Sequence, residues 1–176
     1  MKTIFLGSQG SGKSTQAKLL AEKLNLPYIE MGQVFRDRAR DQDDLATNIR
    51  KALASGNLVD DEVAIATLKD ELAKPQFQNG YILDGYPRNS AQLTALTADI
   101  DKVFYIKVAD EEAIKRLSLR KREDDTRQAL QKRLEIYHDQ TEPLLEVFKQ
   151  KGNLQSIDGE RPIEEIHKEI LEKINN

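Results

Sequence analysis

The stretch GSQGSGKST, residues 7 to 15, decides how this chain folds. It meets the pattern G-x-x-x-x-G-K-[ST] at Gly7, Gly12, Lys13 and Ser14. An apolar run, KTIFLG at 2 to 7, precedes it, and a helical pattern, QAKLLAEKL at 16 to 24, follows. That context distinguishes it from an ordinary glycine-rich turn, which needs neither a strand before it nor a helix after it. Glycines at 7, 10 and 12 let the backbone turn so that successive N–H groups point inward, and the N-terminus of the next helix adds partial positive charge. Lys13 suits the β and γ phosphates, Ser14 suits Mg²⁺, and Gly10, Ser11, Gly12 and Thr15 complete a cradle for a nucleoside triphosphate.

Outward from the loop, YILD (81 to 84) and VFYIKV (103 to 108) are short apolar runs of the kind buried in parallel sheets, with PYIE and LQSID as weaker candidates. Apolar residues at helical spacing recur over 61 to 72, 111 to 119, 126 to 150 and 163 to 174. Strand and helix alternate, which predicts an α/β fold: a parallel, five-stranded sheet in a three-layer P-loop arrangement with helices on both faces. Residues 32 to 60 break the rhythm with a polar helical stretch and no strand, and are read as a flap over the sheet.

The 176 residues suit one domain with an insertion, and 39% hydrophobic with 32% charged residues is the composition of a water-soluble globular protein. No apolar run approaches the roughly 20 residues that span a bilayer, and Met1 leads directly into a strand without the regions of a signal peptide. A cytoplasmic protein without a membrane partner is expected. Zero cysteines and two histidines leave little for a metal beyond carboxylate-held Mg²⁺. The net charge of −3 argues against general nucleic-acid binding. Yet Lys115 to Arg133 holds eight Lys or Arg against three acids, either a solvated helix face or a local field for a small polyanion.

YILD ends in Asp84 and runs into DGYPR, which puts a carboxylate at the C-terminal edge of a strand, where ligands collect. Asp84 can hold Mg²⁺ through a water, Gly85 lets a second molecule approach, and Arg88 offers a fork for a second phosphate. A helix cap for Asp84 and a surface ion pair for Arg88 are the bland alternatives.

GSQGSGKSTQA, LDGYPR with Gln92, the RLSLR run and EDD followed by KRLEIYHDQTEPL together resemble the nucleoside monophosphate kinases, most closely the short-lid adenylate kinases, over nearly the whole chain. The resemblance implies that Arg36 and Arg88 hold the acceptor's α-phosphate and that Gln92 reads the adenine of AMP. It implies that Arg120, Arg122 and Arg133 close on the transferring group, that Arg116 lies against the donor adenine, and that Asp124 and Asp125 organise the lid. The turn at Gly159 and Arg161 is similar to the segment bordering the donor base. The implied domain plan is one P-loop kinase domain over 1–176, with a monophosphate-binding flap at about 31–60 and a very short lid at about 120–126. A monomer using ATP and Mg²⁺, with AMP or another monophosphate as acceptor, is the expectation.

This chain departs from the family at EMGQ, residues 30 to 33, where adenylate kinases usually read STGD. Met31 then either packs on the acceptor base or belongs to the core, and Gln33 can hold a water without a charge. Gln9 and Ser14 stand where the family has proline and glycine, and Ser14 resembles kinases of small hydroxylated metabolites. Three alternatives therefore stay open: a UMP or CMP kinase, a kinase of a hydroxylated metabolite, and a nucleotide binder without activity. A GTPase is disfavoured because no NKxD-type motif occurs.

Overall fold

The computed structural model describes residues 1–96, 99–119 and 125–174. Five strands, β1 (Lys2–Leu6), β2 (Tyr28–Glu30), β3 (Tyr81–Asp84), β4 (Lys102–Lys107) and β5 (Leu154–Asp158), form one parallel sheet in the order β2-β3-β1-β4-β5. In chain order the helices are α1 (Lys13–Leu24), α2 (Met31–Arg38), α3 (Asp44–Ser55), α4 (Asp61–Leu72), α5 (Ser90–Ala95), α6 (Asp110–Leu119), α7 (Arg127–Ile136), α8 (Leu144–Gln150) and α9 (Ile163–Ile174). Both weak strand candidates are strands, and the alternation read from the sequence is an α/β sandwich of three layers.

The central strands β1, β3 and β4 carry apolar residues on both sides because successive side chains leave the sheet on opposite faces and both faces are covered. Ile4, Leu6, Leu83 and Val103 point to one side, where Leu68 of α4 and Phe148 of α8 meet them. Phe5, Ile82, Phe104 and Ile106 point to the other, against Leu20 of α1 and Ile170 of α9. Leu20 is fully buried; Leu20→Ala would cost about 2–5 kcal/mol, as for other buried leucines. Helix α1 starts at Gly12 and stops at Asn25, whose left-handed backbone (φ 50°) closes its last turn.

From β1 the chain moves to β2 at one edge, returns to β3, and then crosses to β4 and β5 on the other side. The reversal at β1 opens a crevice outside the strands' C-terminal ends. In that register Glu30 lies opposite Asp84, so two carboxylates leave the sheet edge side by side.

Helices α2 and α3 make up the segment expected to be a flap. It has its own small core of Ala39, Ile49 and Val59, and Asp43 caps α3 by accepting from the Ala46 amide at 2.8 Å. Gly56, at φ 76°, ends α3 where an added Cβ would come within 2.4 Å of the Ala129 carbonyl oxygen. The flap therefore rests directly on α7.

The sequence predicted one helical stretch over 126–150, and the structure corrects it. Helix α7 ends at Ile136, a π-turn spans Tyr137–Thr141, and α8 begins at Leu144. Pro143 lacks an N–H and its ring crowds the preceding turn, so a regular helix cannot pass through it. The short helix α5 was not anticipated, since six residues are too few to show a readable helical period. Asn89 starts it by accepting from the Gln92 amide at 3.0 Å.

Candidate active site

The loop after β1 is shaped by close approach. At Gly10, with φ 84°, an added Cβ would sit 2.5 Å from the Ala113 carbonyl oxygen of α6. Only glycine combines that backbone with that contact. The Lys13 ammonium donates to the Ser8 carbonyl at 3.2 Å and so lies over the loop it serves. Ser11 is buried, and its hydroxyl accepts from the Lys13 amide at 3.4 Å.

Asp84 anchors the floor. It is 1% exposed, and its Oδ2 accepts from the Ser14 hydroxyl at 2.5 Å and lies 3.1 Å from the Tyr28 hydroxyl. Burial raises the Tyr28 phenol, with the Asp84 and Glu30 charges adding to it, so it remains a protonated donor. Asp84 Oδ1 is buried without a hydrogen-bond partner. An orphaned carboxylate oxygen beside a hydroxyl fits Mg²⁺, which takes oxygen ligands and keeps several from water and phosphate. That economy matters here, because no group of three or more His, Cys, Asp or Glu able to hold a metal occurs among the described residues.

A cleft of about 820 Å³ of empty space, partly open to solvent, runs from this floor under the flap. Lys13, Ser14, Arg36, Asp84, Gly85 and Arg133 line it, together with Glu30, Arg88 and Gln92. The Arg88 Nε donates to the Gly85 carbonyl at 2.9 Å. Burial lowers the Arg88 guanidinium from its ordinary value; Asp84 opposes this, and the like charges of Arg133 and Arg36 reinforce it. A cation in that position gains from any anion that arrives. Arg36 donates through Nη2 to Glu30 at 3.0 Å and through Nε to Gln33 at 3.1 Å. Arg133 is 9% exposed, and it joins Asp125 at 2.8 Å to the Leu53 carbonyl of the flap at 2.9 Å.

Gln92 lies at the far end. Its Oε1 accepts from the Arg88 amide and its Nε2 donates to Asp61, both at 2.9 Å. Asp61 also accepts from Asn89 at 2.8 Å, which fixes the orientation of the Gln92 amide. Met31 is fully buried among Ile29, Leu68 and Tyr86 and does not line the cleft. Of its two readings the structure supports core, because the first turn of α2 points that side chain inward.

On the opposite side of the loop a second cavity, about 720 Å³ of empty space, is bounded by Gly12, Thr15, Arg116, Gly159, Arg161 and Ile163, among others. Arg116 spans it: Nη1 donates to the Gly159 carbonyl at 3.0 Å and the Ser11 carbonyl at 3.3 Å, and Nε pairs with Glu112 at 2.8 Å. Arg161 pairs with Glu169 at its rim. Residues of the phosphate loop thus line two separate cavities, Gln9, Lys13 and Ser14 the first and Ser11, Gly12 and Thr15 the second. Arg120, Arg122 and Asp124 lie outside the described residues.

Sequence reasoning passed over Glu30, Tyr28 and Asp61. Glu30 was in the quoted EMGQ departure, but its reach into the cleft depends on the β2–β3 register. Thr141 was also missed; its hydroxyl donates to the Arg88 carbonyl at 2.7 Å, a contact that the π-turn creates.

Comparison with known proteins agrees with this geometry. The sequence model of the adenylate kinase family matches residues 5–153. The adenylate kinase of Bifidobacterium longum is 40% identical, over 97% of this chain and 98% of its own. That of Stenotrophomonas maltophilia is 36% identical, over 99% of both chains. That of Caldicellulosiruptor bescii is 34% identical over 99% of both, in an alignment of 212 positions against 176 residues here. A Walker-type loop at a parallel sheet edge, an arginine-lined cleft under a helical flap, and full-length relatives of 34 to 40% identity lead to one conclusion: the chain belongs to the adenylate kinase family.

Proposed function

We propose that this chain transfers a phosphoryl group reversibly from MgATP to AMP, giving two ADP. The observation that carries this reading is a single cleft lined by Lys13, Arg36, Arg88 and Arg133 at the edge of the sheet. A phosphoryl group in flight spreads negative charge over its oxygens, so the chain's task is positioning and fixed positive charge. Lys13 and Arg133 stabilise the transferring group, and Arg122 in the lid joins them. Arg36 and Arg88 hold the acceptor phosphate with planar forks that stay protonated near neutral pH. Mg²⁺, when held by Ser14 and Asp84, supplies charge neutralisation on the donor phosphates. The acceptor phosphate is already ionised, so no side chain has to remove a proton.

Gln92 reads the acceptor base through the second lone pair of Oε1, which suits the exocyclic amino group of adenine. The donor base lies by Arg116, Thr15 and Arg161, and Arg120 is assigned with Arg122 and Arg133 to the triphosphate and the transferring group. The flap at about 31–60 and the lid at about 120–126 close over the two nucleotides. The longer alignment with the Caldicellulosiruptor relative supports a shortened insertion in this chain. A monomeric cytoplasmic enzyme with nucleotides as its partners completes the reading; no described helix is long and apolar enough to cross a membrane.

A hydroxyl acceptor would need a carboxylate base; of the two carboxylates lining the cleft, Glu30 is paired with Arg36 and Lys18, and Asp84 accepts from Ser14 on Oδ2 and is assigned to Mg²⁺ in this reading. Incubation with MgATP and AMP, UMP, CMP or GMP separately tests the reading. ADP is expected from AMP; consumption of UMP or CMP with AMP left untouched would replace it with a pyrimidine monophosphate kinase.

A further inference from the structure

The residue that most changes the acceptor cleft is one for which the proposed reaction has no use. Glu30, the last residue of β2, lines the cleft beneath the flap. Its side chain is 12% exposed, and its two oxygens are divided between two cations. Oε1 takes the Arg36 Nη2 at 3.0 Å, while Oε2 lies 3.5 Å from the Lys18 ammonium and 3.3 Å from the Tyr28 hydroxyl. Lys18 belongs to α1, Arg36 to the flap, so the carboxylate lies between the phosphate-loop helix and the flap.

We propose that Glu30 is a specificity-determining residue that competes with the acceptor's phosphate for Arg36, so that the acceptor binds only by displacing an internal carboxylate. This rests on the proposed function, in which Arg36 holds that phosphate. A guanidinium engaged by a carboxylate has already gained most of what a phosphate oxygen would offer it. The remaining carboxylate charge also repels an incoming dianion in a cleft where water screens poorly. Removing a partner from such a pair usually leaves a charge uncompensated. Lys18 and Tyr28 avoid that here, because Glu30 keeps both on Oε2 when Arg36 turns to a phosphate. The arrangement therefore releases Arg36 at tolerable cost, and it sets the acceptor's affinity lower than the arginine count implies.

Glu30→Gln keeps the shape and removes the charge. By steady-state kinetics the KM for AMP is expected to fall roughly tenfold (about 1.4 kcal/mol), while the KM for ATP stays in place. Isothermal calorimetry should show the same gain for AMP and none for adenosine, which has no phosphate. Glu30→Ser removes charge and reach together and should move AMP in the same direction, so one misfolded variant does not remove the readout. Lys18→Ala deprives Glu30 of its second cation, ties it more firmly to Arg36, and should raise the KM for AMP by about twofold.

An unchanged or weaker AMP affinity in both Glu30 variants overturns the proposal, since Glu30 would then merely orient Arg36. An equal gain for adenosine also overturns it, since the cleft would have been reshaped. If wild-type protein binds AMP but makes no ADP from it, the assigned reaction fails while calorimetry still decides the role of Glu30.

Discussion

The two sides of the phosphate loop are built on different principles. On the side assigned to the donor phosphates, the binding surface lies in the backbone: glycines at close-contact positions and the start of α1, all within about a dozen consecutive residues. On the side assigned to the acceptor and the transferring group it lies in side chains from separate elements. Arg36 comes from the flap, Arg88 from the turn after β3 and Arg133 from α7, and carboxylates hold two of the three, Glu30 for Arg36 and Asp125 for Arg133. A backbone cradle resists drift because few substitutions keep its shape. An ion-pair network can be retuned by one residue, and the EMGQ segment is where this chain has done so.

Substitutions can break or sharpen that contrast. The largest effect is expected from Lys13→Ala, which removes the one side-chain charge of the donor cradle; turnover should fall by roughly 10² to 10³ with the melting temperature retained, in line with the loss of one transition-state donor. Wild-type turnover would remove Lys13 from the reaction. Arg88→Ala should approach the same loss and fall on the acceptor, and a rise confined to the KM for ATP would contradict the division into two sides.

Asp125→Ala tests the network for stability. It removes the carboxylate paired with the buried Arg133 guanidinium, and a cost of about 3 kcal/mol is expected, roughly 6–12 °C in melting temperature for a chain of this size. Unchanged melting would mean that water or another carboxylate replaces Asp125. Gln92→Asn shortens the amide that Asp61 orients and should raise the KM for AMP severalfold, by about 1 kcal/mol for one neutral hydrogen bond, with ATP little affected.

The smallest effect belongs to His138, which bridges Glu142 at 2.7 Å and Asp110 at 3.0 Å. Its hydrogen bond to Glu142 raises it above the usual histidine value; partial burial opposes, and the contact with Asp110 adds to the rise. A group raised on folding stabilises fully below its unfolded value and loses that contribution as pH rises through the folded value. The imidazole is 44% exposed, so screening keeps the effect small: a fall of about 1–2 °C in melting temperature from pH 6 to pH 8 is expected, absent in His138→Gln. A rise over that interval would reverse the sign assigned to this pair.

Part of the candidate site was legible in sequence because the phosphate loop is local. The G-x-x-x-x-G-K-S spacing, the apolar run before it and the helical pattern after it specify one geometry, and the structure has it. YILD likewise placed Asp84 at a strand's C-terminal edge, since a short run of apolar residues has one way to lie in a covered sheet. The single stretch over 126–150 failed for a related reason. Its apolar period survives the π-turn, and only Pro143 hinted at the break that turns Thr141 toward Arg88.

By itself, then, the sequence determined the alternation of strand and helix, the phosphate loop and the residue types able to handle phosphate, because each is encoded by neighbours along the chain. Only the tertiary structure decided that Met31 is core, that Asp61 orients Gln92, and that Glu30 occupies Arg36. Met31 and the Asp61–Gln92 pair depend on contacts between residues far apart in the chain, and the Glu30–Arg36 pair, six residues apart, on the strand-to-helix break between them; none of these leaves a period or spacing to read.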